Sequence, residues 1–362
     1  MCLIFGILKV LFFYHNPGFT QKIKNMKAIF LTKYGVSDQA FEFRDVEIPT
    51  PGENEVLIKV RFSGLNFADV IARRGMYPDA PKNPAVLGYD VSGIIISTGS
   101  GVTEFKPGQQ IVAMTRFGGY AEYAVTHKSG VAAIPEGYNP AAATALATQA
   151  CTAYYCAEDC ITLHKGDRVL IHAAAGGVGS ILVQIAKHRG CVVYGTASGS
   201  KLDYIKSLGV DYPIDYTESD FYDQIKSKGE KIDVVFDSIG GSVFNKSFKL
   251  LAPGGKMVNY GAAEQLESGK NKLKLLSMLW GFGLFSPISL LMQSKSIIAV
   301  NMLRIADFRP DVFQEILNHS IKMASNGIIK PHVGKIFPSA EIAAAHDFLE
   351  SRKSIGKVVL EW

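Results

Sequence analysis

A run of small residues between a buried strand and a helix constrains this 362-residue chain most strongly. Residues 168–172 (RVLIH) suit a buried strand, and AAAGGVG follows before a helix-like stretch that ends near residue 190. Ala174, Gly176 and Gly179 occupy the three positions of the GxGxxG/A pattern. Small residues there let the backbone approach a pyrophosphate, let helix and strand pack closely, and leave the N–H groups of the helix N-terminus for phosphate. The pattern predicts a dinucleotide site; the alternative is a merely tight strand-to-helix turn.

The residues after the next strand indicate which dinucleotide would bind. An NAD site usually places Asp or Glu about 20 residues after the loop, where it binds the ribose 2′-hydroxyl. Here that region reads TASGSK (196–201), and the first acid is Asp203. Hydroxyls and a lysine suit a 2′-phosphate through charge-assisted hydrogen bonds, which favours NADPH. The alternative is that Ser198 and Lys201 simply begin the next helix, with serine as its N-cap.

The pattern of the chain changes near residue 150. From Met26 to that point, short alternating strands are separated by turn signals. From Cys151 to about Val300, apolar runs alternate with helix-length stretches, which is typical of βαβ units and a parallel sheet. A chain of this length also favours two domains over one.

Composition excludes several functional classes. The net charge is +5, from 38 basic and 33 acidic residues, and three of the lysines lie in residues 1–25, which hold no acid. The remaining +2 argues against a nucleic-acid partner. Apolar residues make up 48% of the chain and charged residues 20%, which excludes a disordered tail protein. The five cysteines follow neither a disulfide framework nor a CxxC zinc pattern, so reduced thiols are expected.

The first 25 residues are difficult to place in the fold. Their apolar run of about 12 residues is too short to span a bilayer, and no basic residue precedes it. A second methionine, Met26, opens a strand-like stretch. We expect residues 1–25 to be an extension or a mis-set start; an N-terminal anchor and a signal peptide are the alternatives.

Seven segments between Met26 and Trp362 carry a second signal. They read PTPGENEVLIKV (49–60), GLNFADVIARRGMYP (64–78), PAVLGYDVSG (84–93), FGGYAEYAV (117–125), HAAAGGVG (172–179), FDSIGG (236–241) and SRKSIGKVVL (351–360). In this order they resemble the medium-chain dehydrogenase/reductase superfamily. Within it, the chain is similar to the zinc-free quinone oxidoreductases of the ζ-crystallin type, especially the branch named for a synaptic vesicle membrane protein. One departure is Gln109-Gln110, where relatives usually carry Asp-Arg.

The resemblance implies an α/β architecture of two domains. A GroES-like, partly open β-barrel catalytic domain would comprise residues 26–150 and 302–362. A Rossmann domain with a doubly wound parallel sheet would comprise residues 151–301 and bind NADPH. The active site would lie in the cleft between the two. Relatives commonly form homodimers through the nucleotide-domain sheet, so Ile297–Met302 is the expected edge strand.

The resemblance also implies zinc-free chemistry. Zinc-dependent relatives have Cys where Asn66 stands and His where Tyr89 stands. The expected reaction is hydride transfer from NADPH to a quinone or an α,β-unsaturated carbonyl. By similarity, Asn66 holds the nicotinamide ribose or a substrate oxygen, and Tyr77 donates its hydroxyl to the acceptor oxygen. The alternatives are a turn residue for Asn66 and simple aromatic packing for Tyr77.

Family positions extend the predicted cofactor site. Lys201 and Tyr216 match positions after the second and third strands of the Rossmann domain. Arg352 matches an arginine that reaches across the cleft to the 2′-phosphate; the alternative is a solvated charge at a helix end. The other residues expected to bind the cofactor are Thr152, Ala175, Gly176, Gly177, Val178, Ser198 and Gly261.

The segment Leu275–Met292 is unusual because it holds eighteen residues without a charge. Three lysines precede it, so contact with a membrane surface is one interpretation. The other is an insertion that lines an apolar acceptor pocket or a dimer contact. Two functional classes follow: a cytoplasmic NADPH-dependent reductase, and an NADPH-binding but catalytically weak protein that acts at a membrane surface.

Overall fold

The structure, a computed structural model, describes residues 25–263, 281–283 and 285–362. The interpretation of residues 1–25 as an extension therefore lies outside the described residues, except at Asn25, which begins the first described strand. The part of Leu275–Met292 at residues 275–280 and 284 also lies outside them. Within the described ranges the chain folds around two large β-sheets of different construction and one small sheet.

The described strands and helices follow in chain order. The strands are β1 (Asn25–Leu31), β2 (Phe41–Glu47), β3 (Glu55–Leu65), β4 (Ala85–Val86), β5 (Asp90–Thr98), β6 (Gln110–Met114), β7 (Tyr123–His127), β8 (Val131–Ala133), β9 (Arg168–Ile171), β10 (Val192–Ala197), β11 (Tyr212–Asp215), β12 (Ile232–Asp237), β13 (Leu251–Asn259), β14 (Ser296–Ala299), β15 (Val333–Pro338) and β16 (Lys357–Glu361). The helices are α1 (Phe67–Arg73), α2 (Pro140–Ala145), α3 (Cys151–Tyr154), α4 (Gly177–His188), α5 (Leu202–Ser207), α6 (Phe221–Ser227), α7 (Gly241–Leu250), α8 (Pro287–Gln293), α9 (Met302–Phe308), α10 (Pro310–Ser325) and α11 (Ile342–Glu350).

One large sheet is parallel and doubly wound, as predicted. Its six strands run in the order β11-β10-β9-β12-β13-β14, and every neighbouring pair is parallel. The central strand β9 is fully buried at Val169, Leu170 and Ile171, because helices cover both faces. The strand order reverses between β9 and β12, and in such sheets the crevice at the carboxyl ends of these strands is where ligands bind.

The other large sheet joins the two ends of the described chain. It runs β15-β16-β3-β5-β6-β8, with β7 paired to β3, and all its pairs are antiparallel except β15 with β16. A small sheet of β2, β1 and β4 lies beside it. The C-terminal strands thus complete a sheet begun by the N-terminal half, the arrangement expected of a GroES-like fold.

The predicted edge strand was correct in position but too long. β14 lies at the edge of the parallel sheet, but it ends at Ala299, and Met302 already begins α9. The cause is Asn301, whose Oδ1 accepts hydrogen bonds from the N–H groups of Leu303 (3.1 Å) and Arg304 (3.3 Å). This N-cap starts the helix where the sequence pattern suggested a continuing strand.

The described part of the uncharged segment includes most of α8, which leaves Ile288, Leu291 and Met292 exposed to solvent. Of the helices in the described ranges, none combines the length and apolar character that crossing a bilayer requires.

His172, directly after β9, links three elements of the parallel-sheet core by hydrogen bonds. Its Nδ1 lies 3.1 Å from the hydroxyl of Thr196 on β10, and its Nε2 lies 2.8 Å from that of Ser247 on α7. Ser247 donates its own proton to the carbonyl of Val243, so it accepts one from Nε2. Burial lowers the pKa of His172 to about 3 and keeps the ring neutral.

This burial predicts a loss of stability in acid. Between about pH 6.5 and pH 3 the unfolded chain binds a proton at His172 that the folded chain does not, so the free energy of unfolding falls as pH falls. From pH 7.5 to pH 5 this group should remove about 2 kcal/mol. Urea unfolding of the wild type and His172→Gln at both pH values measures it. The advantage of the wild type should shrink by that amount, and a pH-independent difference would contradict the assignment.

Candidate active site

The loop between β9 and α4 needs its small residues for close packing. A Cβ atom on Gly179 would lie 2.2 Å from the carbonyl oxygen of Ala173, and one on Gly177 would lie 2.2 Å from the side chain of Gln149. Gly176 is the extended residue before α4, so the first N–H groups of this twelve-residue helix face the carboxyl edge of the sheet. The close helix–strand packing predicted from Gly179 is confirmed, and the geometry suits an anionic group at the helix N-terminus.

The C-terminal segment crosses from the antiparallel sheet to this loop. The N–H of Gly356 donates to the carbonyl of Ala175 at 2.9 Å, and Gly176 and Gly356 form a parallel bridge. Gly356 has a φ of +62°, and an added Cβ would lie 2.2 Å from the carbonyl oxygen of His332. Val178 is half-buried in the first turn of α4. Gly356 is therefore held against the glycine loop.

Two predicted cations meet beside this loop. The ammonium of Lys201 donates to the backbone carbonyl of Arg352, across 151 positions of sequence. Burial lowers the pKa of Lys201, and the nearby guanidinium of Arg352 lowers it further. Two adjacent positive charges repel each other, so an anion placed between them would stabilise both. Such a pair of cations suits the 2′-phosphate that the sequence analysis expects here.

The neighbouring predicted residues lie at the same edge of the sheet. Ser198 follows β10 and begins the turn to Lys201, whose N–H donates to the Ser198 carbonyl at 2.8 Å. Ser198 occupies the N-cap position of this turn, as the alternative expects, but its side chain makes no cap hydrogen bond. Tyr216 follows β11, is exposed, and donates its backbone N–H to Ala197 at 3.3 Å.

Asp215, at the end of β11, was not weighed in the sequence analysis. Its Oδ1 accepts from the backbone N–H of Thr217 at 2.8 Å and from the Thr217 hydroxyl at 2.6 Å. These two bonds lower the pKa of the carboxyl, and a weaker one comes from the N–H of Gly199. A Cβ on Gly199 would lie 2.4 Å from Oδ2. Asp215 thus shapes the turn that carries Ser198 and Lys201.

Thr152 and Gly261 lie on two other elements, and of the described residues around them only Gln149 touches the loop. Thr152 lies in α3 and donates its hydroxyl to the carbonyl of Thr148 at 2.7 Å. The π-type turn before α3 (Leu146–Ala150) carries Gln149, which lies against Gly177. Gly261 follows the carboxyl end of β13, where an added Cβ would lie 2.8 Å from the carbonyl oxygen of Ser238.

Asn66 belongs to a buried polar cluster on the side of the antiparallel sheet. Its Nδ2 donates to Asp90 at 3.0 Å, while its Oδ1 accepts from Lys357 at 3.0 Å. Lys357 also pairs with Asp90 at 2.6 Å, and both charged side chains are fully buried. A Cβ on Gly64 would lie 2.3 Å from Lys357 and 2.5 Å from Asp90, so the pair packs directly over that glycine. We call Asn66, Asp90 and Lys357 the Asn–Asp–Lys cluster.

The sequence analysis missed Asp90 and Lys357, although a signal existed. Each is a charge that opens a mainly apolar strand, β5 and β16, and Gly64 lies near the end of β3, the strand between them. A buried charge needs a partner of opposite sign, so two such residues in strands of one sheet are candidates to pair.

Asp69 ties Asn66 to the turn before Tyr89. Its carboxylate accepts from the backbone N–H of Asn66 at 2.9 Å and from that of Gly88 at 3.2 Å. Burial raises its pKa to about 7, against the lowering effect of these two donors. Asp69 therefore fixes the spacing between Asn66 and the turn before Tyr89. Asn66 and Tyr89 are the two positions at which zinc-dependent relatives are expected to have Cys and His.

Three aromatic rings pack together beside the Asn–Asp–Lys cluster. The ring of Tyr89 packs 6.4 Å from that of Tyr77 in an edge-to-face arrangement and 5.0 Å from that of Phe117. Tyrosine phenols carry their proton at neutral pH, and burial raises the pKa of Tyr77 and of Tyr89 still further, so both can donate a hydrogen bond. We call these three residues the aromatic wall.

Known proteins match both halves of this arrangement. The family described as alcohol dehydrogenase GroES-like domain matches residues 52–136, and the family described as zinc-binding dehydrogenase matches residues 208–360. The human synaptic vesicle membrane protein VAT-1 homolog is 34% identical over 339 residues, which cover 92% of this chain and 86% of that protein. The chain belongs to the medium-chain dehydrogenase/reductase family, in the branch of the VAT-1 homologs.

Solved structures of this oxidoreductase family superpose closely. The Escherichia coli quinone oxidoreductase complexed with NADPH has a TM-score of 0.80 at 27% identity and covers 93% of this chain and 100% of its own. The CurK enoyl reductase has a TM-score of 0.80 at 27% identity and covers 93% of this chain and 99% of its own. The chain therefore has the fold of both quinone and enoyl reductases.

The residues present do not fit the zinc in the family description. Asn66 and Tyr89 offer no thiolate or imidazole, and the oxygen of Asn66 already accepts from the Lys357 ammonium, which would repel a cation. In the part of the chain that the structure describes, no three His, Cys, Asp or Glu side chains are grouped to hold a metal ion.

The Asn–Asp–Lys cluster predicts strong coupling between its charges. Lys357→Met leaves Asp90 buried without a counter-charge, which should cost about 3–5 kcal/mol of unfolding free energy. Asp90→Asn combined with Lys357→Met removes both charges and should recover about 1–3 kcal/mol relative to the sum of the single changes. Urea unfolding of the four proteins gives the coupling energy; additive losses would show that the two charges do not interact.

Proposed function

We propose that this protein is an NADPH-dependent reductase of quinones or α,β-unsaturated carbonyl compounds that acts without zinc. The observation that carries the proposal is the pairing of Lys201 with Arg352 beside the glycine loop, across a cleft from Asn66 and Tyr77. The likeness to a quinone oxidoreductase complexed with NADPH and to an enoyl reductase supports both the cofactor and the acceptor classes.

The glycine loop would hold the pyrophosphate. Residues 175–178 lead into α4. The N–H of Gly176 already donates to the carbonyl of Ala173 at 2.8 Å, so the N–H groups of Gly177 and Val178 in the first turn of the helix would donate to the phosphate oxygens. Lys201 and Arg352 would bind the 2′-phosphate, the guanidinium as a fork and the ammonium as a point charge. Ser198 and Tyr216 would add hydroxyl donors, and Thr152 and Gly261 would contact the nicotinamide end.

The opposite wall would orient the acceptor. NADPH, when bound, supplies the hydride; with one proton, the acceptor becomes a hydroquinone or a saturated carbonyl compound, and NADP⁺ is left. Asn66 has one amide hydrogen not used by Asp90, and Tyr77 has a protonated phenol. Both can donate to the acceptor oxygen as negative charge develops on it. Solvent would supply the proton, because Asp69, the carboxyl group with a raised pKa beside Asn66, is fully buried and its two oxygens accept from backbone N–H groups.

A second candidate function is NADPH binding with weak catalysis at a membrane surface. The exposed apolar side chains of α8 favour it, as does the name that the VAT-1 relatives carry, synaptic vesicle membrane protein. Flotation with anionic phospholipid vesicles, with and without residues 275–292, tests it. An intact protein that stays unbound would end this candidate.

The proposed reaction is tested by following NADPH oxidation. Protein that starts at Met26 is offered a panel of quinones and α,β-unsaturated ketones, with NADH in parallel. Turnover that prefers NADPH supports the reductase, and the best acceptor chooses between the two substrate classes. NADPH binding without turnover of any acceptor would favour the second candidate.

Replacement of Tyr77 by Phe removes only the hydroxyl. If this group stabilises the developing oxyanion, kcat should fall by about 10- to 1000-fold, while the NADPH dissociation constant stays unchanged. Stopped-flow oxidation and a fluorescence titration measure the two quantities separately. Unaltered turnover would remove Tyr77 from the mechanism.

Lys201→Ala and Arg352→Ala test the 2′-phosphate site. Each removes a charge-assisted contact that NADH cannot make, so NADPH should weaken by about 10-fold or more and NADH much less. Titration of both cofactors with each variant decides the matter. Equal losses for NADPH and NADH would contradict the assignment.

A further inference from the structure

Two ion pairs of opposite polarity join the aromatic wall to α9. Asp79, two residues after Tyr77, accepts from the guanidinium of Arg304 on α9. Arg116, the neighbour of Phe117, donates its Nε to Asp307 on the same helix at 2.7 Å. The two partners on α9 lie three positions apart, on one face of the helix.

Asn301 adds a third contact to the first pair. Its Nδ2 lies 3.4 Å from Asp79 Oδ2, while its Oδ1 caps α9 through the N–H groups of Leu303 and Arg304. The side-chain amide of Asn301 is therefore oriented by α9: its oxygen accepts from the helix N-terminus, and its nitrogen faces Asp79. Asp79 is the more buried partner, at 15% side-chain exposure against 56% for Arg304.

The second pair holds a strained residue. Arg116 has a φ of +54°, a conformation that non-glycine residues rarely adopt and that costs energy unless contacts hold it. Its guanidinium bonds Asp307 and also lies over the Phe117 ring at 5.5 Å. The contact with α9 therefore stabilises the backbone that presents Phe117 to Tyr89.

The family resemblance assigns residues 302–362 to the catalytic domain, but α9 follows directly on β14, the edge strand of the parallel sheet, and its buried Met302 and Leu303 share a hydrophobic core with β9. Tyr77 and Phe117 belong to segments on the side of the antiparallel sheet. The two pairs thus connect the two walls of the cleft near the residues proposed to meet the acceptor.

Because the two pairs have opposite polarity, they favour one position of α9 along its axis. A displacement of α9 by one turn would place Asp307 near Asp79 or Arg304 near Arg116, and these like charges would repel each other.

We propose that Asp79–Arg304 and Arg116–Asp307 act as a clamp that sets the distance of the aromatic wall from the parallel sheet, and thereby the size of acceptor that fits. All four are positioning residues, and the inference rests on the proposed reductase function. Since exposed ion pairs are individually weak, loss of one should change acceptor binding by about two- to fivefold.

The first test measures the clamp without catalysis. Hydrogen exchange of residues 76–82 and 114–119 is followed in the wild type, Arg304→Gln, Arg116→Asp, Asp307→Arg and the double swap R116D/D307R. Aspartate tolerates the positive φ at position 116 better than most residues. Exchange should speed up in the single variants and return toward the wild-type rate in the double swap. Unchanged exchange in the single variants, or no recovery in a double swap that keeps the wild-type Tm, would overturn the proposal.

Arg189→Gln is the matched control. Arg189 pairs with Glu158 at exposures of 46% and 12%, close to those of Arg304 and Asp79, but it joins the end of α4 to the helical turn Tyr155–Asp159. This variant should leave exchange in both segments and all kinetic constants unchanged. An effect equal to that of Arg304→Gln would mean that any lost surface ion pair loosens the cleft, and the clamp would be refuted.

The second test uses kinetics with a small and a bulky acceptor. Single variants should raise KM for the small acceptor two- to fivefold and leave the NADPH dissociation constant unchanged. They should also raise kcat/KM for the bulky acceptor relative to kcat/KM for the small one. The double swap should restore the wild-type ratio of these two kcat/KM values. Equal losses for both acceptors would contradict a role in acceptor size. If the wild type turns over no acceptor, the proposed function fails, and hydrogen exchange still decides whether the clamp exists.

Discussion

The buried contact between Lys357 and Asp90, with Asn66 bonded to both, is the interaction on which the cleft depends. It joins the start of β16, the start of β5 and the residue after β3, which are far apart in sequence. Two charges withdrawn from water are tolerated only when each satisfies the other. Gly64 leaves the space for the pair, so a strand that looks interrupted in sequence is what allows the site to form.

The same contact connects the two halves of the site. Lys357 opens β16 directly after Gly356, which is hydrogen-bonded to the glycine loop at Ala175. The position of the C-terminal segment is therefore set on one side by the Asn–Asp–Lys cluster and on the other by the loop. Arg352 lies in that segment and meets Lys201. A single crossing of the chain thus determines both the proposed phosphate site and the orientation of Asn66.

Much of the fold follows from local pattern. The glycine loop, the parallel strands and the final strand Lys357–Glu361 are readable because period, small residues and turn signals are local properties. The meeting of Lys201 and Arg352 was also expected, but only through family resemblance. The end of the edge strand was wrong, since the side-chain cap by Asn301 overrides strand propensity.

What could not be predicted depends on pairing across the sheets. The sequence shows only that Asp90 and Lys357 would each need a partner if buried. The register of β3 with β5 and with β16 decides which partner each one meets. The roles of His172 and Asp215 depend likewise on elements that meet only in the folded chain. The crystal structure of the NADPH complex tests the account most directly. The account places the 2′-phosphate within hydrogen-bond distance of Lys201 and Arg352 and the pyrophosphate over residues 175–178; a phosphate bound away from both cations would contradict it.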